Sequence, residues 1–166
     1  KFDPEKNKWF NHQYLIQQSD ADLAKAFTPI LTEKGITIEE NKLITIVSLI
    51  KERAHFVSEF WEMSDFFFVA PTTYDEKASK NWKEETPVLM QELISVLEEI
   101  TDFTTLNIET IVKDWMTKNE IGMGKIMQPF RLSLVGALKG PHLFDIVEVI
   151  GKEETITRIQ KAIATL

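Results

Sequence analysis

The amino-acid sequence predicts an all-α protein. Apolar residues recur at spacings of three and four, which places them along one face of a helix. Residues that favour helix N-termini precede most of these stretches, and glycine or proline often follows them. The strict alternation of apolar and polar residues that is typical of β-strands is almost absent. With 166 residues and a hydrophobic content of 43%, the chain is long enough to bury a core.

The helices of the first half are predicted from residue pairs that cap helix N-termini. These pairs are Asp3 with Pro4, Ser19 with Asp22, and Thr37 with Glu40. The first helix ends near Gln18. The second ends before Gly35, and Pro29 inside it predicts a kink or an early stop. The third runs into Arg53, and a short helical piece follows.

The segment after this piece contains three consecutive phenylalanines, at positions 66 to 68, and then Val-Ala-Pro71. Because a residue before proline favours extended geometry, the segment is predicted to form a buried connection. A boundary near Tyr74 would divide the chain into two helical subdomains, residues 1–74 and 75–166. Large aromatic residues in helical proteins are usually buried, so four of them are assigned to the core: Trp9, Phe10, Tyr14 and Trp61.

The second half of the chain is predicted to begin helices at four positions: Asp75, Thr86 with Pro87, Asn107, and Pro141. A further helix is entered through the glycine-rich turn at residues 122–124 and is bent at Pro129. Gly151 separates the last two helices. The chain as a whole is expected to contain nine or ten helices.

Charge and composition restrict the possible functions. The net charge of −7 argues against nucleic-acid binding, since affinity for phosphates comes from lysine and arginine. However, residues 1–110 carry 11 basic against 20 acidic side chains, whereas residues 111–166 carry 8 against 6. The absence of cysteine, of a membrane-spanning stretch and of an export signal predicts a cytoplasmic protein. Because the chain begins with Lys1, we expect it to be a piece of a longer protein.

No pattern in the sequence predicts a catalytic or metal site. The three histidines are His12, His55 and His142, and none has a partner at metal-ligand spacing. Neither a nucleophile elbow nor a phosphate-binding P-loop is present. Residues 122–125 are interpreted as a tight turn into a helix, because no strand precedes them.

Several motifs, taken in order along the chain, resemble one family. Residues 124–136 read Gly-Lys, an apolar pair, Gln-Pro, an apolar residue, Arg, and a short apolar run that ends in Gly. Gly-Pro-His-Leu-Phe-Asp follows at residues 140–145 and Ile-Gly-Lys-Glu at 150–153. Upstream, residues 2–14 contain Phe-Asp-Pro-Glu-Lys, Trp-Phe-Asn and Tyr, and residues 51–54 read Lys-Glu-Arg-Ala. This order resembles the C-terminal region of bacterial glutamyl-tRNA synthetases over essentially the whole chain.

The resemblance implies a multihelical anticodon-binding domain, an α-helical cage made of two packed subdomains. The expected partners are the anticodon arm of the tRNA for glutamate and the protein's own catalytic domain, in a monomer. That catalytic domain would lie upstream and would use ATP and Mg²⁺ to join glutamate to tRNA. No cofactor is expected in this chain itself.

The resemblance also implies roles for individual residues. Arg53 occupies the position at which discriminating members of the family read the last anticodon base. A planar guanidinium suits this role, although a pair with Glu52 or Glu59 is the alternative. Lys125 and Arg131 are candidates for phosphate contacts.

Two loop positions and one glutamine side chain complete the candidate site. Gly140 and Leu143 match loop positions that touch the anticodon in relatives. Because other members carry a side chain at the first of these positions, a contact at Gly140 either involves its backbone or is lost. Gln128 either contacts RNA or caps backbone groups that Pro129 leaves unpaired, and the structural role is preferred.

Two further functional classes remain open. A helical protein-interaction domain without an RNA role is the main alternative, and the acidic first two-thirds of the chain favours it. A free-standing enzyme ranks third, because no set of catalytic residues converges. A glutaminyl-tRNA synthetase of the usual kind is not expected, since that family has β-barrels in this region.

Overall fold

A computed structural model describes residues 4–166, and these residues form an all-α fold without any β-strand. The chain divides into two compact units, Lys1–Phe68 and Val69–Leu166. None of the helices in the described range is long and apolar enough to cross a lipid bilayer. The predicted cap at Asp3 lies outside the described residues.

The described part of the first unit, residues 4–68, contains four α-helices: α1 Pro4–Gln17, α2 Asp20–Glu33, α3 Glu40–Ile50 and α4 Phe60–Phe68. The 3₁₀ turns Lys51–Arg53 and Val57–Glu59 connect α3 to α4. Helix α2 packs along α3, and Phe27 of α2 forms an edge-to-face contact with Phe60 of α4, with ring centroids 5.5 Å apart. Both phenylalanines are fully buried, so they anchor the core of this unit.

Two caps in the first unit can be compared with the sequence predictions. Ser19 caps α2 as predicted, because its hydroxyl accepts the Asp22 N–H at 3.1 Å. The cap predicted at Thr37 is wrong. Helix α3 begins only at Glu40, and the Glu39 carboxylate accepts the Asn41 N–H at 3.0 Å. Thr37 therefore lies too far upstream to reach the first turn.

The aromatic face of α1 differs most from its prediction. Trp9, Phe10 and Tyr14 are 57%, 55% and 72% exposed, so their assignment to the core is wrong. Leu15 is the buried residue of this helix. Helical spacing does indicate a shared face, but no other segment of residues 4–166 covers it. Trp61 is half-buried, stacks on Phe68 and lies under the Lys34 ammonium, 4.7 Å from the ring centroid.

The phenylalanines at 66–68 remain helical, contrary to the predicted connection, because α4 ends at Phe68, before the restricted residues next to Pro71. The division into two units falls after Phe68 rather than near Tyr74. Phe68 packs against Phe27 in the first unit, whereas the Pro71 carbonyl accepts from the Lys161 ammonium in the second. The residues between Phe68 and Tyr74 thus belong to the second unit.

The second unit contains six α-helices: α5 Glu76–Ser79, α6 Thr86–Glu98, α7 Thr105–Lys118, α8 Met123–Val135, α9 Leu143–Ile150 and α10 Lys152–Thr165. Helices α6, α8 and α10 pack against one another, and α7 packs against α9. Arg158 of α10 is 2% exposed and donates to the Leu134 carbonyl at 2.8 Å and to the Glu154 carboxylate at 2.6 Å. A buried guanidinium with these acceptors ties α10 to the end of α8.

The helix starts of the second unit agree only partly with the predictions. Asp75 caps α5 as predicted, accepting the Ala78 N–H at 2.9 Å, although this helix ends at Ser79 rather than near Trp82. Helix α7 begins at Thr105, so a cap at Asn107 is wrong. The Asn107 amide instead donates to the Asp102 carbonyl at 2.7 Å.

Gly136 ends α8 in a left-handed conformation, with φ +85°. Its carbonyl accepts the Asp75 N–H at 2.8 Å. A Cβ atom at Gly136 would lie 2.8 Å from Pro71 Cβ and 2.8 Å from the Thr73 carbonyl oxygen. The close approach fixes the segment before α5 against the loop that follows α8.

Candidate nucleic-acid interface

Arg53 lies in a 3₁₀ turn that is anchored on both sides. The Lys51 ammonium pairs with Asp20 of α2 at 2.6 Å, and the carbonyl of the fully buried Ala54 bonds to the His12 ring of α1 at 2.8 Å. Between these anchors, the Arg53 side chain is exposed. The local fold therefore holds the backbone of the turn while it presents the guanidinium to solvent.

The acidic residue that would neutralise Arg53 is otherwise engaged. Glu59 Oε1 accepts the backbone N–H of His55 at 2.7 Å and of Phe56 at 2.9 Å. Burial raises the pKa of Glu59, but these hydrogen bonds and the nearby His55 ring lower it by more, so its pKa lies below the usual value. Within residues 4–166, Arg53 has no ion-pair or hydrogen-bond partner, and the alternative pairing with Glu59 is not formed.

Phe56 is a second exposed group beside this turn, and the sequence analysis missed it. Its side chain is 48% exposed, while its backbone is fixed by Glu59. It lies three positions after Arg53 in the sequence, so the two Cα atoms lie within about 11 Å. Its position between two turns could have indicated its exposure, because Phe56 is not part of the apolar face of any helix. An exposed ring near an unpaired guanidinium can stack on an unpaired base.

In the second unit, Arg131 organises the loop after α8. Its Nη1 donates to the Lys139 carbonyl at 2.9 Å and to the Pro141 carbonyl at 2.8 Å. These two carbonyls flank Gly140, whose φ of +103° is a conformation that residues with a side chain rarely adopt. Arg131 and Gly140, which the sequence predicted as contacts, are thus brought together, with the guanidinium directed at the loop backbone.

The far end of this loop is attached to α7. His142 Nε2 lies 3.2 Å from Glu109 Oε1, and the Lys113 ammonium lies 2.5 Å from Glu109 Oε2. The hydrogen bond from Lys113 lowers the pKa of Glu109, against a smaller opposing effect of burial. Glu109 is therefore charged at neutral pH and available to hold His142.

The remaining predicted residues occupy different positions in the second unit. Leu143 is 4% exposed, so its side chain lies in the core at the start of α9. Lys125 and Gln128 are exposed on the first turns of α8 and line one shared hollow. Gln128 makes no side-chain hydrogen bond with any described residue, so it does not cap the backbone groups near Pro129. No cluster of three or more metal-ligating side chains occurs within residues 4–166.

Comparison with known proteins identifies the family. Residues 21–163 match the family described as "Anticodon binding domain". Over its whole length the chain is 78% identical to a glutamate–tRNA ligase of Flavobacterium johnsoniae and 50% identical to one of Phocaeicola vulgatus. The chain covers 33% of each of these relatives, about a third of their length.

Solved structures show the same likeness. The crystal structure of a glutamate tRNA ligase from Elizabethkingia meningosepticum, in complex with its amino acid, superposes with a TM-score of 0.95 at 47% identity. That superposition covers 99% of this chain and 33% of the other. A glutamate–tRNA synthetase from Elizabethkingia anophelis gives a TM-score of 0.88 at 45% identity, over 98% of this chain and 32% of that one. The chain therefore belongs to the anticodon binding domain family.

Proposed function

We propose that this chain reads the anticodon of the tRNA for glutamate as the C-terminal region of a glutamate–tRNA ligase. The observation that carries the proposal is the exposed, unpaired Arg53 on an anchored turn, in a chain of the anticodon binding domain family. A guanidinium held in this way can donate two parallel hydrogen bonds to the edge of an unstacked base.

Each candidate residue has a proposed role. Arg53 selects the last anticodon base, and Phe56 provides a stacking surface for a base. Lys125 and Gln128 contact the RNA from α8. Gly140 offers its backbone. Arg131 and Leu143 act as positioning residues, because the first holds the loop carbonyls and the second is buried under the loop.

The parent protein would supply the reaction. Its remaining two-thirds would bind ATP and Mg²⁺ and ligate glutamate to the tRNA, in a cytoplasmic monomer. The aromatic face of α1, which has no cover within residues 4–166, would contact this catalytic part. This chain contributes recognition of the anticodon.

The test is binding of the chain to an anticodon stem-loop of the glutamate tRNA, with the last anticodon base either cognate or replaced by that of the glutamine tRNA. We expect a preference for the cognate base of roughly 5- to 150-fold, equal to about 1–3 kcal/mol for a good bidentate contact. Arg53→Lys retains the positive charge but not the planar pair of N–H donors. The preference for the cognate base should therefore disappear, while the affinity for RNA as such should fall by a smaller factor.

The matched control is Glu52→Gln, which changes the neighbouring exposed residue of the same turn. It should leave the base preference unchanged. Equal binding of both stem-loops by the wild-type chain would refute the proposal. Absence of any RNA binding would instead favour the alternative of a protein-interaction domain that uses the exposed aromatic face of α1.

A further inference from the structure

Two hollows on the second unit meet at Asn81. One, of about 480 Å³, is lined by α5 and the loop after α8, including Lys77 and Lys139. The other, of about 380 Å³, is lined by the segment before α6 and the first turns of α8, including Lys83 and Lys125. Because Asn81 lines both, the two hollows adjoin at this residue, and we call them together the lysine surface.

The lysine surface has the opposite charge to the chain that carries it. Its four ammonium groups are accompanied by two carboxylates, Asp75 and Glu85, which gives a local charge of +2 in a chain of net charge −7. The Asp75 carboxylate already accepts the Ala78 N–H. Within residues 4–166, none of the four ammonium groups has an ion-pair or hydrogen-bond partner. Four exposed, unpaired cations close together attract anionic ligands.

The backbone at one end of the lysine surface is open. Helix α8 begins after Gly122 without a side-chain cap, so the Met123 and Gly124 amides have no capping side chain, whereas the Lys125 N–H donates to the Gly122 carbonyl at 3.1 Å. A Cβ atom built at either Gly122 or Gly124 would meet no atom within 4 Å. A ligand can therefore approach these amides closely, and oxyanions bind well at such helix starts.

The ligand must present several anionic groups in succession, because the cations lie along two joined hollows. The Lys139 carbonyl is held by Arg131, so this end of the surface is fixed to the loop that carries Gly140. A polynucleotide backbone has regularly spaced phosphates and suits mobile ammonium groups that act as point charges. An acidic peptide also carries negative charge. Its carboxylates, however, bind less well than phosphate oxygens to exposed backbone amides.

We propose that the lysine surface binds consecutive phosphates of the RNA whose anticodon the chain reads. This inference rests on the proposed function and extends it to Lys77, Lys83 and Lys139, with Asn81 as a neutral donor between the two hollows. The surface supplies affinity without sequence preference, whereas Arg53 supplies base preference.

The experiment measures affinity for the cognate anticodon stem-loop between roughly 50 and 300 mM salt, over which the Debye length falls from roughly 14 Å to roughly 6 Å. The variants are Lys77→Gln, Lys83→Gln, Lys125→Gln, Lys139→Gln and the fourfold variant. The slope of log affinity against log salt is negative. Each single change should make it less steep by about 0.7–0.9, and the fourfold change should make it less steep by roughly three. The ratio between cognate and non-cognate stem-loops should stay the same in every variant.

The matched control is Lys42→Gln, on the exposed side of α3 in the first unit, which removes one unpaired charge away from the lysine surface. It should leave the salt slope unchanged. A polyglutamate peptide of equal charge is included as a competitor and should displace the RNA only weakly.

The outcomes separate this inference from the proposed function. If the wild-type chain prefers the cognate base but the four lysine variants keep the wild-type slope, the lysine surface is not a phosphate site and the proposed function stands. If polyglutamate competes as well as RNA, the surface binds acidic polypeptides and the inference fails. If the chain binds no RNA, both fail. Circular dichroism of the fourfold variant confirms that it is folded, which is expected because all four side chains lie at the surface of the hollows.

Discussion

Replacement of Arg131 tests whether its guanidinium holds the loop around Gly140 or contacts RNA phosphates. We compare Arg131→Lys, which retains the charge, with Arg131→Met, which removes it. An ammonium cannot reproduce the position of Nη1, which donates to the carbonyls of Lys139 and Pro141. If the guanidinium holds the loop, both variants should open it equally.

The magnitude follows from the two hydrogen bonds. The bond to the Lys139 carbonyl is exposed and contributes about 0.5–1 kcal/mol, whereas the bond to the Pro141 carbonyl is partly buried and contributes about 1.5–2 kcal/mol. Their sum of about 2–3 kcal/mol corresponds to a roughly 30- to 150-fold increase in the population of the open loop.

Native-state hydrogen exchange measures this opening. The amides of Asp145 and Ile146 both bond to the His142 carbonyl at the end of the loop, so they should exchange faster in both variants. The Ile108 amide, which bonds to Thr104, is the internal control and should be unchanged. Unchanged exchange in both variants, with RNA affinity lost only in Arg131→Met, would show that Arg131 is a phosphate contact and would refute the loop-holding role.

Three further predictions concern stability. Glu59→Gln should destabilise the chain at neutral pH. Because the folded-state pKa of Glu59 is lowered, the difference in unfolding free energy from wild type should shrink as the pH falls below the ordinary glutamate pKa of about 4.3 and vanish below the folded-state pKa, which denaturant titrations at several pH values would show. Arg158→Leu leaves the buried Leu134 carbonyl without its donor and should cost about 2–4 kcal/mol in urea unfolding, whereas a cost below about 0.5 kcal/mol would contradict this role. Gly136→Ala should cost about 3 kcal/mol in the same assay, since it combines a positive φ with a 2.8 Å approach to Pro71; a wild-type midpoint would show that the loop adapts.

The sequence predicted the all-α fold well, because helical periodicity and cap residues are local signals. Sequence-based prediction failed where the partner of a side chain depends on contacts that local patterns do not show. Nothing near Glu59 in the sequence shows that its carboxylate accepts two backbone N–H groups instead of pairing with Arg53.

The candidate site shows the same division between local and long-range effects. Family resemblance made Arg131 a candidate for phosphate contacts and matched Leu143 to a loop position, but a motif does not show which atoms a guanidinium faces or whether a leucine is buried. The exposed aromatic face of α1 was misassigned for a related reason. Periodicity identifies a face of a helix, whereas burial depends on whether another segment covers it.

The anchored turn around Arg53 also bears on how specificity can change over time. The anchors of the turn, Asp20 and His12, act on its backbone and on Lys51, and none of them touches the Arg53 side chain. Substitutions at Arg53 should therefore alter unfolding free energy by no more than about 0.5 kcal/mol. A lineage can exchange the residue that reads the base without first acquiring compensating stability, so decoding preference can be gained or lost in a single mutational step.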